Sequence, residues 1–260
     1  MSRRWVEANL AEFARDVMRD FCMASVVLEG QFHRFDEAGA VSFPVMRDLL
    51  GEMMNKGLLW RLKDTAHHLF RNDPAQDPVA PMLDWAVGYA FHECVKLKED
   101  AYQHQHYAPQ YRALREQDMG EELRAIVEPL ASMLAQTRES MEREIRRIRY
   151  ILGRIRRLMC LYYAAHGGNR LLARLLFDRD ELVRSVFGEE YDLLLQGLYG
   201  DKPERMFIQA GESLLDGGRP EDALRAAHAA VALASGCQRA HRLVAEAEQR
   251  IDQTPRRRAI

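Results

Sequence analysis

Cysteine is scarce and never paired in this chain: Cys22, Cys94, Cys160 and Cys237 lie far apart, with no CxxC. That spacing excludes a zinc knuckle and a thioredoxin-type redox motif. Each cysteine falls in a stretch with helical patterning and reads as a small buried hydrophobe in a reducing compartment. There is no Gly-rich phosphate loop, no nucleophile elbow and no HExxH, so the compact motifs of phosphate-binding enzymes, α/β hydrolases and zinc proteases are missing. No run reaches the roughly 18 apolar residues of a membrane span. After Arg3 and Arg4 come acidic and polar residues, where a secretory leader needs apolar ones. The expectation is a cytoplasmic protein with no membrane contact. Charge of one sign is lacking too. With 37 Lys plus Arg against 39 Asp plus Glu, the formal net charge is -2, and no whole-molecule field draws the chain toward nucleic acid or anionic lipid. Alternating apolar and polar stretches with β-branched enrichment are also missing, which excludes a sheet.

What is present is helical periodicity. From Trp5 to Phe35 the residues Phe13, Val17, Phe21, Ala24, Leu28, Phe32 and Phe35 recur every three or four positions, one stripe of a long amphipathic helix. Gly39 interrupts it, and Ser42 with Pro44 predicts the cap and first turn of a second helix carrying Val45, Leu49, Met53 and Met54. Gly57 weakens that helix, and a helical pattern resumes through Leu58, Leu62, Ala66 and Phe70. A third helix is predicted near Pro81, with Leu83, Val87, Ala90, Cys94, Leu97 and Ala101 as its seam and Pro109 as its end. The strongest signal lies between Glu121 and Ala165. There Met141, Ile145, Ile148, Leu152, Ile155, Met159 and Tyr162 alternate steps of four and three. Gly167 and Gly168 stop it, and Asp178 with Glu181 reads as a capping box for one of the shorter helices that follow.

The C-terminal segment, about Glu204 to Ile251, resembles one and a half tetratricopeptide repeats. Phe207 occupies the large aromatic position of the first helix, and Gly211 the small position where the paired helix approaches closely. Gly218 falls at the turn, Ala223 and Ala230 at the small positions of the second helix, and Val244 with Ala245 at the start of a following repeat. Leu214, Ala227 and Ser235 depart from the tyrosine, bulky aromatic and proline frequent there. One repeat upstream, Phe177 and Glu189 stand at positions that require small residues, so no earlier copy is read. The resemblance implies a protein-binding scaffold. Because such units bury their apolar faces on neighbours, upstream helices must cover this one.

Three constellations could carry chemistry. Arg143, Arg146, Arg147, Arg149, Arg154, Arg156 and Arg157 crowd one helix. Arg146, Arg147, Arg154 and Arg157 are the candidate phosphate-binding set, though with a net charge that is not basic a solvated face paired with Glu142, Glu144 or acids on neighbouring helices is the preferred account. Glu29, His33, Asp64, His67, His68, His92, Glu93, Glu99, Asp100, His104 and His106 are ligand types for a di-iron helical bundle. The paired Glu-x-x-His spacing such a site needs is missing, and His92 lies off the seam, so no metal is expected. The polar stretch Lys96 to Tyr111, with Tyr102, Gln103, Gln105 and Tyr107, suits a pocket, a partner surface or an exposed helix end.

The resulting expectation is an all-α protein: an antiparallel helical bundle over 1–165, short connecting helices over 166–203, a tetratricopeptide-like hairpin over 204–251 packed against the bundle, and a disordered tail over 252–260. Its expected function is binding another protein, as an adaptor or assembly factor taking up a helix or peptide, without cofactor or evident catalysis. Arg205, Gln209, Glu212 and Arg225 are the candidate partner-binding residues. The alternatives are a nucleic-acid-associated regulator using the arginine face and a bundle metalloprotein using the histidines and carboxylates.

Overall fold

The computed structural model describes residues 3–38, 43–73, 77–116, 120–166 and 169–253. Among these residues there is no strand, and the protein is all-α. The helices are α1 (Arg3–Ala38), α2 (Phe43–Met54), α3 (Leu58–Arg71), α4 (Val79–Arg115), α5 (Glu121–His166), α6 (Arg170–Asp178), α7 (Asp180–Phe187), α8 (Glu190–Tyr199), α9 (Glu204–Asp216), α10 (Pro220–Leu233) and α11 (Gln238–Gln253). No helix among the described residues is long and apolar enough to cross a membrane.

The long stripes are buried as their spacing dictates. All seven seam residues of α5 from Met141 to Tyr162 are buried, as are the six of α4 from Leu83 to Ala101 and the α1 stripe from Val17 to Phe35. In α2 the phase differs. Phe43, Met46, Leu50 and Met53 are buried while Val45 is half exposed, because twelve residues offer two apolar faces and the one continuing from Phe43 is the wider. The break after α2 centres on Gly57, where a Cβ would sit 2.1 Å from the Glu52 carbonyl oxygen; only a bare backbone fits there.

Other expected boundaries move. Pro109 lies inside α4, which continues to Arg115. The Gln105 carbonyl loses its helical donor there, but Pro109 is exposed, so water can serve that oxygen and the cost stays below that of a buried break. Asp178 ends α6 rather than capping α7, whose N-cap is Arg179 with no side-chain cap bond. Its carboxylate is drawn away by Arg174 and Arg219. Cys237 lies between α10 and α11, outside either helix. Gly39, Ser42, Gly167 and Gly168 lie outside the described residues. So does the expected tail from 254 onward, while its first two residues belong to α11.

The chain divides into two compact units that cut it differently from the order of its helices. One comprises Met1–Cys22, Asn72–Ala80 and Arg156–Ile260, the other Met23–Arg71 and Pro81–Ile155; they are called unit 1 and unit 2 below. In unit 2 the Phe43 ring lies 5.0 Å from Phe35 and 4.2 Å from His104, centroid to centroid. In unit 1 the Tyr163 hydroxyl, fully buried, donates to the Ala14 carbonyl, and Phe21 meets Phe187 edge-on.

The C-terminal part of unit 1 is a stack in which α9 packs against α6, α10 and α11. Leu214, Leu215, Ala223, Ala226, Ala227, Leu243 and Ala247 form one buried cluster, joined by Phe177 of α6. Ile208, Ala230 and Ala240 form a second. Gly211 is the closest approach: a Cβ would lie 2.6 Å from Leu243 Cδ2 and 3.3 Å from the Ala223 carbonyl oxygen. The side-chain hydrogen here and the alanine face of α10 together allow three helices to meet with no room left over.

Candidate functional site

The expected partner-binding residues do not form one free surface. Arg205, Gln209 and Glu212 follow each other at steps of four and three along α9, so they share a stripe. Arg205 is exposed and Gln209 half-buried, with an Oε1 that has no hydrogen-bond partner. Glu212 is committed internally. Arg239 of α11 donates to both of its oxygens at 2.7 and 2.8 Å, and Arg170 of α6 approaches within 2.9 Å. Arg225 on α10 pairs with Asp222, which also accepts from Arg219 at 2.6 Å. The Arg225 hydrogen bond, joined by the Arg219 charge, outweighs burial and holds the Asp222 carboxyl below the ordinary carboxylate range.

Beside this stripe lies a pocket of about 500 Å³ that no sequence pattern announced. Leu176 and Phe177 of α6, Tyr191, Leu195 and Tyr199 of α8, and Met206 and Phe207 of α9 supply apolar wall. The Phe177 and Phe207 rings meet edge-on at 6.2 Å. At the polar side the Arg184 guanidinium lies 4.2 Å from the Tyr191 ring centroid, and the Tyr191 hydroxyl donates to Asp180. Its traces in the sequence are the aromatics at 177 and 207, the first read as a mismatch to a repeat and the second as a match, and here both are wall. A pocket of this size and character takes one or two large apolar groups.

The arginine face is largely spent on neighbours. In unit 2, Arg147 lies 3.6 Å from Glu93, and Arg149 donates to Glu29 at 3.1 Å and to Asp36 at 2.7 Å. Arg154 donates to the Tyr150 hydroxyl at 3.0 and 2.9 Å, and Arg146 is exposed beside a hollow of about 260 Å³ that Arg138 and Arg149 also line. In unit 1, Arg157 donates to Glu190 at 3.1 Å and Arg156 lies 3.8 Å from the same carboxylate.

The metal-type residues scatter. His33 pairs with Glu37, His67 with Asp84 and His68 with Asp64, His92 is exposed and His104 is buried against Phe43. Burial, with the charges of Arg138 and Arg112, lowers the His104 pKa. Among the described residues no three His, Cys, Asp or Glu converge as a metal site would require. Burial pushes the Cys22 and Cys94 thiols up to about 12 and Cys160 to about 11, far from the thiolate that reactivity needs. The polar stretch of α4 lines an open cleft of about 920 Å³ in unit 2, where Lys98, Glu99, Tyr102 and Gln103 face Arg47, Glu52 and Asn55.

Two acids lie where the sequence did not put them. Glu144, expected to pair with the arginines in solvent, is 5% exposed, and Glu93 is 1% exposed. The signal was in the spacing. Glu144 lies three after Met141 and four before Ile148, and Glu93 three after Ala90 and four before Leu97, so each sits on a buried stripe.

No family model, no curated protein and no solved structure matches the chain.

Proposed function

We propose that the chain is a protein-binding adaptor or assembly factor whose C-terminal helices form a tetratricopeptide-like hairpin, α9 and α10 with the start of a next unit in α11, following an N-terminal helical bundle in the sequence. The observation that carries this reading is the apolar pocket walled by α6, α8 and α9. Its aromatic lining suits an anchor side chain of a partner's helix or extended peptide, the part of an interface that supplies most of its energy. Arg205, exposed and next to Met206 in the first turn of α9, offers a polar contact beside such an anchor, whereas the Gln209 oxygen is sealed from solvent and does not. Glu212 and Arg225 serve the stack's own ion pairs and act on a partner only through the shape they hold. The carboxylates that hold Arg147, Arg149 and Arg157 weigh against the nucleic-acid reading, since a phosphate would have to displace them.

The test is capture from native extract by the immobilised full chain, with Leu195→Arg and Arg205→Glu beside the wild type. Leu195 is half-buried on the pocket wall, so the folded chain tolerates the change while the pocket gains a charge. Proteins retained by the wild type and lost by about tenfold or more on Leu195→Arg, with unchanged circular dichroism, support the reading. Identical retention by all three chains, or turnover of a small molecule with no protein retained, overturns it.

A further inference from the structure

Glu93 on α4 and Glu144 on α5 stand within unit 2 with their charges buried and their hydrogen bonding half complete. Each uses one oxygen: Lys96 Nζ donates to Glu93 Oε1 at 2.9 Å, and Ser140 Oγ donates to Glu144 Oε1 at 3.4 Å. Both second oxygens, Oε2, are sealed from solvent; that of Glu93 has the Arg147 guanidinium 3.6 Å away, whereas that of Glu144 has no hydrogen-bond partner. Buried acceptors are rarely left so, and the Glu144 oxygen needs an explanation.

The geometry points to a proton-binding carboxyl pair: Glu144 holds one proton on its unpartnered oxygen while Glu93 stays ionised, and loss of that proton loosens α4 from α5. The charges divide the roles. Glu93 has Lys96 on its own helix and Arg147 across on α5, 3.6 Å from its Oε2. Glu144 forms no ion pair among the described residues. Acting on it are Asp100 and Glu93 of α4, which repel a second negative charge, Lys96 of α4, which weakly favours one, and the neutral Ser140 of its own helix. Cys94 is influenced by both carboxylates and is held protonated, up at about 12, by its own burial, so it takes no part in the exchange. A buried carboxyl that feels other carboxylates ionises only against a penalty, and the one with cations beside it keeps the charge.

The electrostatics of the two sites agree with this placement. Burial, then Asp100 and Glu93, push the Glu144 carboxyl up to about 7. Burial also pushes Glu93 up, but the Lys96 hydrogen bond and the charges of Lys96 and Arg147 outweigh it and hold Glu93 below the ordinary value. Because the folded pKa of Glu144 lies above its unfolded one, its proton stabilises the fold fully below the unfolded value. That stabilisation is lost as pH rises through about 7, the proton leaving to bulk water. The α4 and α5 contact is therefore firmest in mild acid and loosest above neutrality.

The experiment uses the full chain, glutamate carboxyl-¹³C labelled, from pH 5 to 8.5. One carboxyl resonance titrating near 7 and vanishing in Glu144→Gln is expected, with its midpoint moved down in Glu93→Gln, which removes a like charge. Amide exchange in α4 and α5, corrected for its intrinsic rate, should show opening that rises up to tenfold per pH unit between about 5 and 7 and levels off above. In Glu144→Gln, whose amide mimics the neutral acid, that rise should be absent. No glutamate titrating between 6 and 8 in the wild type, or a rise in opening that survives Glu144→Gln, overturns the assignment. The carboxyl titration of the wild type decides even if a variant fails to fold.

Discussion

The C-terminal stack of unit 1 and the α4 and α5 contact of unit 2 solve the burial of charge in opposite ways. In the stack the interior is alanine and leucine, and the nearby carboxylates stay at the edge, each held by two arginines: Glu212 by Arg170 and Arg239, Asp222 by Arg219 and Arg225, Asp178 by Arg174 and Arg219. In unit 2 two carboxylates and His104 lie inside. Small side chains bring helix axes together and leave no volume for a polar group, so the stack exports its charges. Between α4 and α5 the interior encloses two acids, of which Glu93 keeps its charge beside Lys96 and Arg147 while burial resists ionisation of Glu144. The first region is fixed by shape, the second by protonation state.

The comparison breaks if the stack does not depend on tight fit. Leu214 is fully buried in its main cluster, and Leu214→Ala should cost about 3 kcal/mol of stability, read from chemical denaturation, because both transfer energy and a residual cavity are lost. A cost under about 1 kcal/mol means the stack can collapse around the hole and is not a jigsaw. Next in size is Gly211→Val, expected to cost about 2 kcal/mol by overpacking. Its Cβ meets the end of Leu243, which can move, and the Ala223 carbonyl oxygen, which cannot do so freely. Pairing it with Leu243→Ala should recover part of that loss, and strict additivity would place the strain elsewhere.

The two regions should also carry opposite pH signs. The Asp222 pKa is lowered by Arg225 and Arg219, so its contribution is present above the ordinary Asp value of about 4 and is lost as pH falls below it. Amides of α9 and α10 should lose protection only on the acid side, whereas those of α4 and α5 weaken as pH rises toward neutrality. The shift at Asp222 belongs to a partly exposed group near solvent, so the effect is smaller than that of either core substitution. Loss of α9 and α10 protection in step with α4 and α5 across neutral pH removes the distinction.

Fold class was legible because apolar stripes over long helices leave little choice: each of the seven α5 seam residues is buried. Where a helix is short the stripe is ambiguous, which is why α2 turned by one position to bury Met46 and Leu50 in place of Val45. Capping chemistry misled at Asp178 because the competing partner, Arg219, is forty-one residues away in sequence, and no local pattern contains it. The pocket was illegible for a related reason. Its wall comes from three helices, and only the folded chain brings Phe177 next to Phe207. The acids at 93 and 144 were legible in principle, since their spacing matched the seams. The charge of Glu144 drew attention to solvent, and that of Glu93 to a metal, and both away from that spacing.

The smallest effect expected is at the arginine face, and it tests whether surface charge matters to this fold at all. Arg157 is 68% exposed at its side chain and reaches Glu190 at 3.1 Å, a geometry in which Coulomb gain, side-chain entropy and screening nearly cancel. Moreover Arg156 stands by the same carboxylate, so Arg157→Ala leaves Glu190 with a cation. Stability should change by no more than about 0.5 kcal/mol, and binding to duplex DNA should stay weak in both chains at low salt. A loss above about 1 kcal/mol would make the Arg157 and Glu190 contact a structural joint. Tight DNA binding that falls steeply with salt, and falls again when Arg146, Arg147, Arg154 and Arg157 are replaced together, would mean that the internal carboxylates yield to phosphate. The contrast between exported and enclosed charge would then describe an unliganded state that a polyanion rearranges.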